Sequence, residues 1–351
     1  MQDRREHQGE NAGTAQPLSR RDLLGLLAAT GLAASFASTM GACSQAPKRR
    51  GRDDVRVRSP FQTALMQTSL ARTLHNHLEG FAEAARNTHR FRAIGYNSSL
   101  WPNQARDAAL LKTLSKRAKD AGVKPLLLQV DDEGLLGEAD RSARSRAIVA
   151  HHKWVDAAKA LGCEALVVRA GAVGAPTAQA DQLAEGLASL SNYTREIGLR
   201  LLVRSGGLGG DMSQNPVWLA GVLRRFDSNT VAALADVDAI SPDPKLRMGT
   251  DEGMRIIMPF AAAIVMRGLE SAEPLAPMPS KGSPARKASM IRRVLDDAIK
   301  GRGKDKQLGS GFRGYVLVDV QETSAAAEER SISATRDYLD AVAREYRDLT
   351  Q

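Results

Sequence analysis

The sequence predicts a (β/α)8 barrel over residues 61–351, and three observations carry the prediction. Strand-like and helix-like stretches alternate eight times from Phe61 onward without a long structureless insert, which is the pattern of repeated βα units. Gly122, Gly162 and Gly198 each close a helical stretch directly before a strand, where a residue free to take positive φ ends a helix. The strand stretches are apolar runs rather than polar–apolar alternations, as parallel strands covered on both faces require. A doubly wound parallel sheet is the alternative with the same element order.

In chain order, strands are expected near 62–68, 91–97, 124–130, 164–170, 199–205, 230–236, 261–267 and 314–321. Helices are expected near 76–88, 104–121, 141–161, 179–197, 214–226, 250–258, 284–301 and 325–346. The clearest unit runs from Ala147 to Gly171. Ala147, Ile148, His151, Trp154, Val155, Ala158 and Leu161 recur at helical spacing, and Lys153, Asp156 and Lys159 fall opposite. Gly162 stops the helix, and Ala165 to Val168 form the buried strand. The irregular stretches 206–213, 237–249 and 268–283 all follow strands. In a barrel they lie at the C-terminal face, where binding and catalytic sites are built.

At 351 residues and 43% hydrophobic, the chain can bury a large core. Residues 1–43 balance four basic against four acidic side chains, whereas residues 44–60 carry six basic and two acidic ones. The rest of the +9 net charge is spread over many helices. That spread reads as a solvated basic surface rather than a stripe for nucleic acid, and no nucleic-acid partner is expected.

The N-terminus reads as an address. Ser19-Arg20-Arg21-Asp22-Leu23-Leu24-Gly25 resembles the twin-arginine export motif, and the apolar stretch from Leu23 to about Ala37 is too short and too rich in small residues to span a bilayer. Met40-Gly41-Ala42-Cys43 resembles a lipobox, which implies cleavage and lipidation at Cys43; an ordinary signal with an incidental cysteine is the alternative. These segments imply a periplasmic or cell-envelope protein. Residues 44–60 then form a charge-dense tether, whose basic side chains would lean on anionic headgroups beside a lipid anchor. Cys163, the other cysteine, opens a buried strand and is expected to be a core residue, so no disulfide framework is available.

The stretch VDDEGLLGEAD followed by HHKWVDAAKALGC resembles the xylose isomerase-like TIM-barrel family of sugar isomerases and epimerases. SLARTLH, LKTLSKRAKDAGVKPLLL, MPFAAAIVMR and GFRGYVLVDVQE follow the same pattern in order, so the resemblance covers nearly all of residues 61–346. It implies a divalent metal held at strand ends by a glutamate, an aspartate, a histidine and a second glutamate. That metal would polarise a sugar while acid/base groups move a proton or hydride between adjacent carbons.

Carried over residue by residue, the resemblance places the first ligand on Val203, within Val203-Arg204-Ser205-Gly206-Gly207. The aspartate is kept at Asp236. The histidine falls on Val265, with Arg267 where the family often has lysine, and the second glutamate falls on Gln321. A further family glutamate, at the second strand, falls near Ile94 or Gly95. A hard divalent ion binds through anionic oxygens and imidazole, and two valines supply neither. No cofactor is therefore expected, and a divalent metal only if the carry-over is displaced. Arg204 and Arg267 either favour an anionic ligand or pair with Asp236 and Asp319 in an altered barrel mouth.

Other candidates sit near the same face. His75 matches a histidine the family carries after its first strand, positioned for a sugar hydroxyl or a structural hydrogen bond. Asp131 and Glu133 follow the third strand, as an acid/base pair or as braces for the next helix. His151 is expected to pack inside, and the glycines at 206, 207, 209 and 210 fit no dinucleotide or P-loop spacing. A three-zinc nuclease of this barrel class needs a cluster of histidines and carboxylates, which six histidines, one of them in the leader, supply poorly. Three functions stay open: an exported sugar- or sugar-acid-binding, non-catalytic member of the resembled family; an active isomerase or epimerase with a divergent site; and a partner-binding scaffold.

Overall fold

A computed structural model describes residues 59–75, 77–206, 212–240, 250–269, 284–300 and 312–348. The twin-arginine pair Arg20–Arg21, Cys43, the tether up to residue 58 and glycines 207, 209 and 210 lie outside the described residues.

Eight strands, β1 (Gln62–Met66), β2 (Ala93–Asn97), β3 (Lys124–Val130), β4 (Ala165–Arg169), β5 (Arg200–Arg204), β6 (Val231–Asp236), β7 (Ala261–Met266) and β8 (Tyr315–Val318), close into one barrel. They stand in sequence order, every neighbouring pair is parallel, and β8 pairs with β1 through Gln62–Tyr315 and Leu65–Val318. That closure decides for the (β/α)8 barrel over the open sheet.

The α-helices among the described residues are α1 (Ala71–Leu74), α2 (Phe81–Glu83), α3 (Ala108–Asp120), α4 (Arg141–Leu161), α5 (Pro176–Ile197), α6 (Pro216–Leu223), α7 (Thr250–Ile257), α8 (Pro284–Lys300) and α9 (Ala325–Asp348). Side-chain caps set several starts. Asp107 accepts from the Ala109 and Leu110 amides at 3.0 Å, so α3 begins later than the expected 104. Asp140 caps α4 and Asn215 caps α6, and Pro176 opens α5 at a position where its missing N–H costs nothing. Gly162 and Gly198 end α4 and α5 at φ 79° and 81°.

The helix expected over 76–88 is present over Leu78–Thr88. Its hydrogen bonding is mixed: a 3-10 turn over Leu78–Gly80 runs into α2 and then into a π-helical turn over Ala84–Thr88, and the short α1 precedes it. The Glu328 carboxylate on α9 accepts from the Arg72 and Thr73 amides of α1 at 2.8 and 2.9 Å, and the chain turns at His75 with φ 44° before the longer helical stretch.

Two apolar layers fill the barrel. The outer one packs Leu65, Ile94, Leu128, Leu166, Leu201, Val203 and Ile264 against helix residues such as Leu114, Trp154, Leu187 and Leu339. The inner one contains strand residues only, among them Met66, Leu127, Val167, Leu202, Leu234, Val265 and Leu317, which plug the interior. Gly95 makes room for that plug: a Cβ there would meet the Met66 sulfur at 2.5 Å and Leu127 at 2.9 Å. Cys163 is buried as expected, and burial pushes its thiol well above the ordinary range.

Candidate functional site

The site lies one pleat above the plug. Side chains alternate faces along a strand, so the residue two past the last plugging residue of each strand, or past Gly95 on β2, also faces the axis. Those residues are Thr68, Asn97, Gln129, Arg169, Arg204, Asp236, Arg267 and Asp319, every one of them polar. They form a ring at the C-terminal mouth of the barrel.

Arg204 is the hub of the ring. Its Nε donates to Asp236 Oδ2 at 2.8 Å, Nη1 donates to Gln129 Oε1 at 2.7 Å, and Nη2 donates to Asp319 Oδ2 at 2.9 Å. Nη2 also stands 2.7 Å from Asp236 Oδ2. Arg204, Asp236 and Asp319 are 2%, 3% and 1% exposed, so this is a deeply buried ion triad. The carboxylates are fixed from behind as well. Thr68 Oγ1 donates to Asp319 Oδ1 at 2.5 Å, and the Asp238 amide donates to Asp236 Oδ1 at 3.0 Å. Burial opposes the Arg204 charge, but the two aspartates outweigh it and hold the guanidinium protonated. Burial also pushes the Asp236 carboxyl above its ordinary value, even with Arg204 beside it.

The network continues across the mouth through Gln129, whose Nε2 donates to Asp131 Oδ1 at 2.8 Å. Asp131 also accepts from Arg169 Nε at 2.6 Å and Asn97 Nδ2 at 2.9 Å. Burial works to raise the Asp131 carboxyl, but Arg169, Asn97 and Gln129 overcome it and hold the group below its ordinary value. Above the triad opens a cavity of about 490 Å³, lined among others by Arg169, Arg204, Asp236, Asp238, Arg267 and Gln321. Its size suits a small-molecule ligand.

The candidates read from sequence fall into three groups. Arg204, Asp236 and Asp319 come together in the triad, and Asp131 joins them through Gln129. Arg267 and Gln321 are exposed and line the cavity. Arg267 is outside the triad; its backbone amide donates to Asp238 Oδ2 at 2.6 Å. The remaining two stand apart: Glu133 accepts from Trp154 Nε1 at 2.6 Å and pairs with Lys153 at 2.7 Å, and His75 is exposed at the end of α1, outside the cavity lining.

Sequence reasoning missed Gln129, Arg169, Asn97 and Thr68. Continuing each strand's inward alternation by one pleat would have found them.

One carried-over position is corrected. Val203 faces the outer, helix-covered layer, so the inward residue at the end of β5 is Arg204. Ile94 likewise packs outward, and Gly95 has no room for a side chain. Val265 does face inward, but as part of the apolar plug. The side chains present do not fit a divalent cation: Asp236 and Asp319 already share a guanidinium, and the neighbouring inward positions supply arginine and valine. Among the described residues no three His, Cys, Asp or Glu side chains group as metal ligands.

No family model matches the sequence, and no curated protein matches it. Solved structures do match in shape. An L-ribulose 3-epimerase superposes with a TM-score of 0.61 at 11% identity, covering 83% of this chain and 98% of its own. The D-psicose 3-epimerase of Clostridium cellulolyticum H10, solved with D-tagatose, gives 0.56 at 12% identity, covering 82% and 98%. A xylose isomerase-like TIM barrel protein from Mycobacterium smegmatis, in complex with magnesium, gives 0.54 at 13% identity, covering 81% and 98%. At such identities the likeness is one of fold, and it spans nearly the whole length of each of those proteins. With its closed parallel barrel and this likeness together, the chain has the fold of the xylose isomerase-like sugar isomerases and epimerases.

Proposed function

We propose that this chain is an exported, sugar isomerase/epimerase-like barrel protein that binds a sugar or sugar acid at the barrel mouth without divalent-metal catalysis. The observation that carries the reading is Arg204. A buried guanidinium sits between the carboxylates of Asp236 and Asp319, with Val265 facing inward on the strand between theirs, β7. The cavity above keeps the polar lining a polyhydroxylated ligand needs, and Arg169 and Arg267 supply planar N–H donors suited to a carboxylate.

A thermal-shift screen tests the binding. Neutral sugars and sugar acids should raise the melting temperature by mass action, and Arg267→Ala should remove the shift given by the acids. If no sugar or sugar acid shifts the wild type, the binding reading fails and the scaffold reading replaces it.

Export rests on Arg20 and Arg21, and anchoring on Cys43. Lysine at both arginines should retain the protein in the cytoplasm, and Cys43→Ala should release it from membrane fractions. Normal envelope delivery of the double-lysine variant would overturn the export reading.

A further inference from the structure

We infer that Arg204 is a tethered cation filling a cation niche, and that Asp236, Asp319 and Gln129 would accept a divalent ion once the guanidinium is removed. The inference rests on the metal-free reading above and deepens it by naming what occupies the place of the ion. Three oxygens from the C-terminal ends of three strands converge on one positive group: Asp236 Oδ2 at 2.7 Å, Asp319 Oδ2, directly after β8, at 2.9 Å and Gln129 Oε1 at 2.7 Å. Two of these are anionic and the third is a neutral carbonyl. That is the hard-oxygen donor type of Mg2+, Mn2+ and Ca2+ sites.

The niche is built independently of its occupant. Thr68 Oγ1 holds the far oxygen of Asp319, the Asp238 amide holds the far oxygen of Asp236, and Asp131 accepts from the Gln129 amide. Each donor oxygen is therefore aimed by a partner other than Arg204. Removing the side chain beyond Cβ leaves those oxygens oriented around a vacated space, with two buried negative charges that need a counter-ion. A guanidinium delivered by the backbone of β5 is always present, so a free ion has no access to the same oxygens. The residue that excludes the metal is thus the residue that neutralises the site.

The experiment compares wild type, Arg204→Ala, Arg204→Lys and the double variant Arg204→Ala/Asp236→Asn, each stripped with chelator. Melting temperature and bound metal are then read with and without about 1 mM Mn2+ or Ca2+. Arg204→Ala should take up one ion per chain and gain about 5 °C or more. Arg204→Lys keeps a tethered cation and should not respond, and the double variant loses one anionic donor and should lose the response. Should Arg204→Ala be unfolded without metal, recovery of its near-ultraviolet circular dichroism on adding Mn2+ is the same readout. If Arg204→Ala responds no more than the double variant, the niche is refuted while the metal-free reading stands. If stripped wild type itself binds about one Mn2+ per chain, the metal-free reading falls, and this inference with it.

Discussion

Replacing Arg204 by methionine should cost about 4 kcal/mol of folding stability at pH 7. The side chain is 2% exposed, and its removal leaves the carboxylates of Asp236 and Asp319 buried at 3% and 1% exposure without a counter-charge. Breaking a buried ion pair by removing one partner costs about 3–5 kcal/mol, because the stranded charge keeps its desolvation penalty. Methionine refills much of the volume, so a cavity adds little. In a barrel of this size the loss lowers the melting temperature by about 10 °C. The sign with pH follows from Asp236. Burial already raises the folded pKa of the Asp236 carboxyl and raises it further without Arg204, so the penalty is present above that raised value and relieved as pH falls through it. Urea unfolding at pH 7 and pH 5 reads both effects. A companion variant carrying Arg204→Met, Asp236→Asn and Asp319→Asn should recover most of the loss, since removing every member of a buried ion triad is often nearly neutral. A single-variant loss below about 1 kcal/mol, or a triple variant no more stable than the single, would refute the triad as a charge-balanced unit.

Two further outcomes follow from the packing. Gly95→Ala places a methyl group 2.5 Å from the Met66 sulfur and 2.9 Å from Leu127, so it should destabilise by about 1–3 kcal/mol, and adding Met66→Ala should give part of that back; equal urea midpoints for Gly95→Ala and wild type would show the plug to be loosely packed. His151 is 3% exposed, contacts the Ala147 carbonyl through Nδ1 at 2.7 Å, and has its pKa lowered by burial, and buried His89 is lowered with the same leading cause. Their stabilising contribution is complete above the unfolded value of about 6.5 and is lost as pH falls below it, because only the unfolded chain then takes up the protons. Stability should therefore decline between pH 7 and pH 5, and His151→Asn should flatten that slope; an unchanged slope would mean that His151 titrates alike in both states.

The barrel was legible because its signals are local and repeated. Apolar strand runs, helical spacing over Ala147–Leu161 and glycines ending helices at 162 and 198 each depend on a few neighbouring residues, and eight repetitions leave few topologies. Four of the site residues, Arg204, Asp236, Asp319 and Asp131, were also legible as charges at strand ends. Which of them meet was not. A strand residue faces the axis or the helices according to a period of two, so a one-residue displacement exchanges Val203 for Arg204 and turns an apparent lost ligand into a buried cation. The partners of that cation stand 32, 75 and 115 residues away, and only closing the sheet brings β3, β6 and β8 to bear on one guanidinium. The anchoring of α1 has the same origin, the Glu328 carboxylate delivered from α9 to the Arg72 and Thr73 amides about 255 residues earlier. Local propensity and periodicity thus determined the elements and their order. The choice of which charges are neutralised inside the mouth belonged to the tertiary structure, because a buried charge is set by whatever the fold places within hydrogen-bonding distance of it.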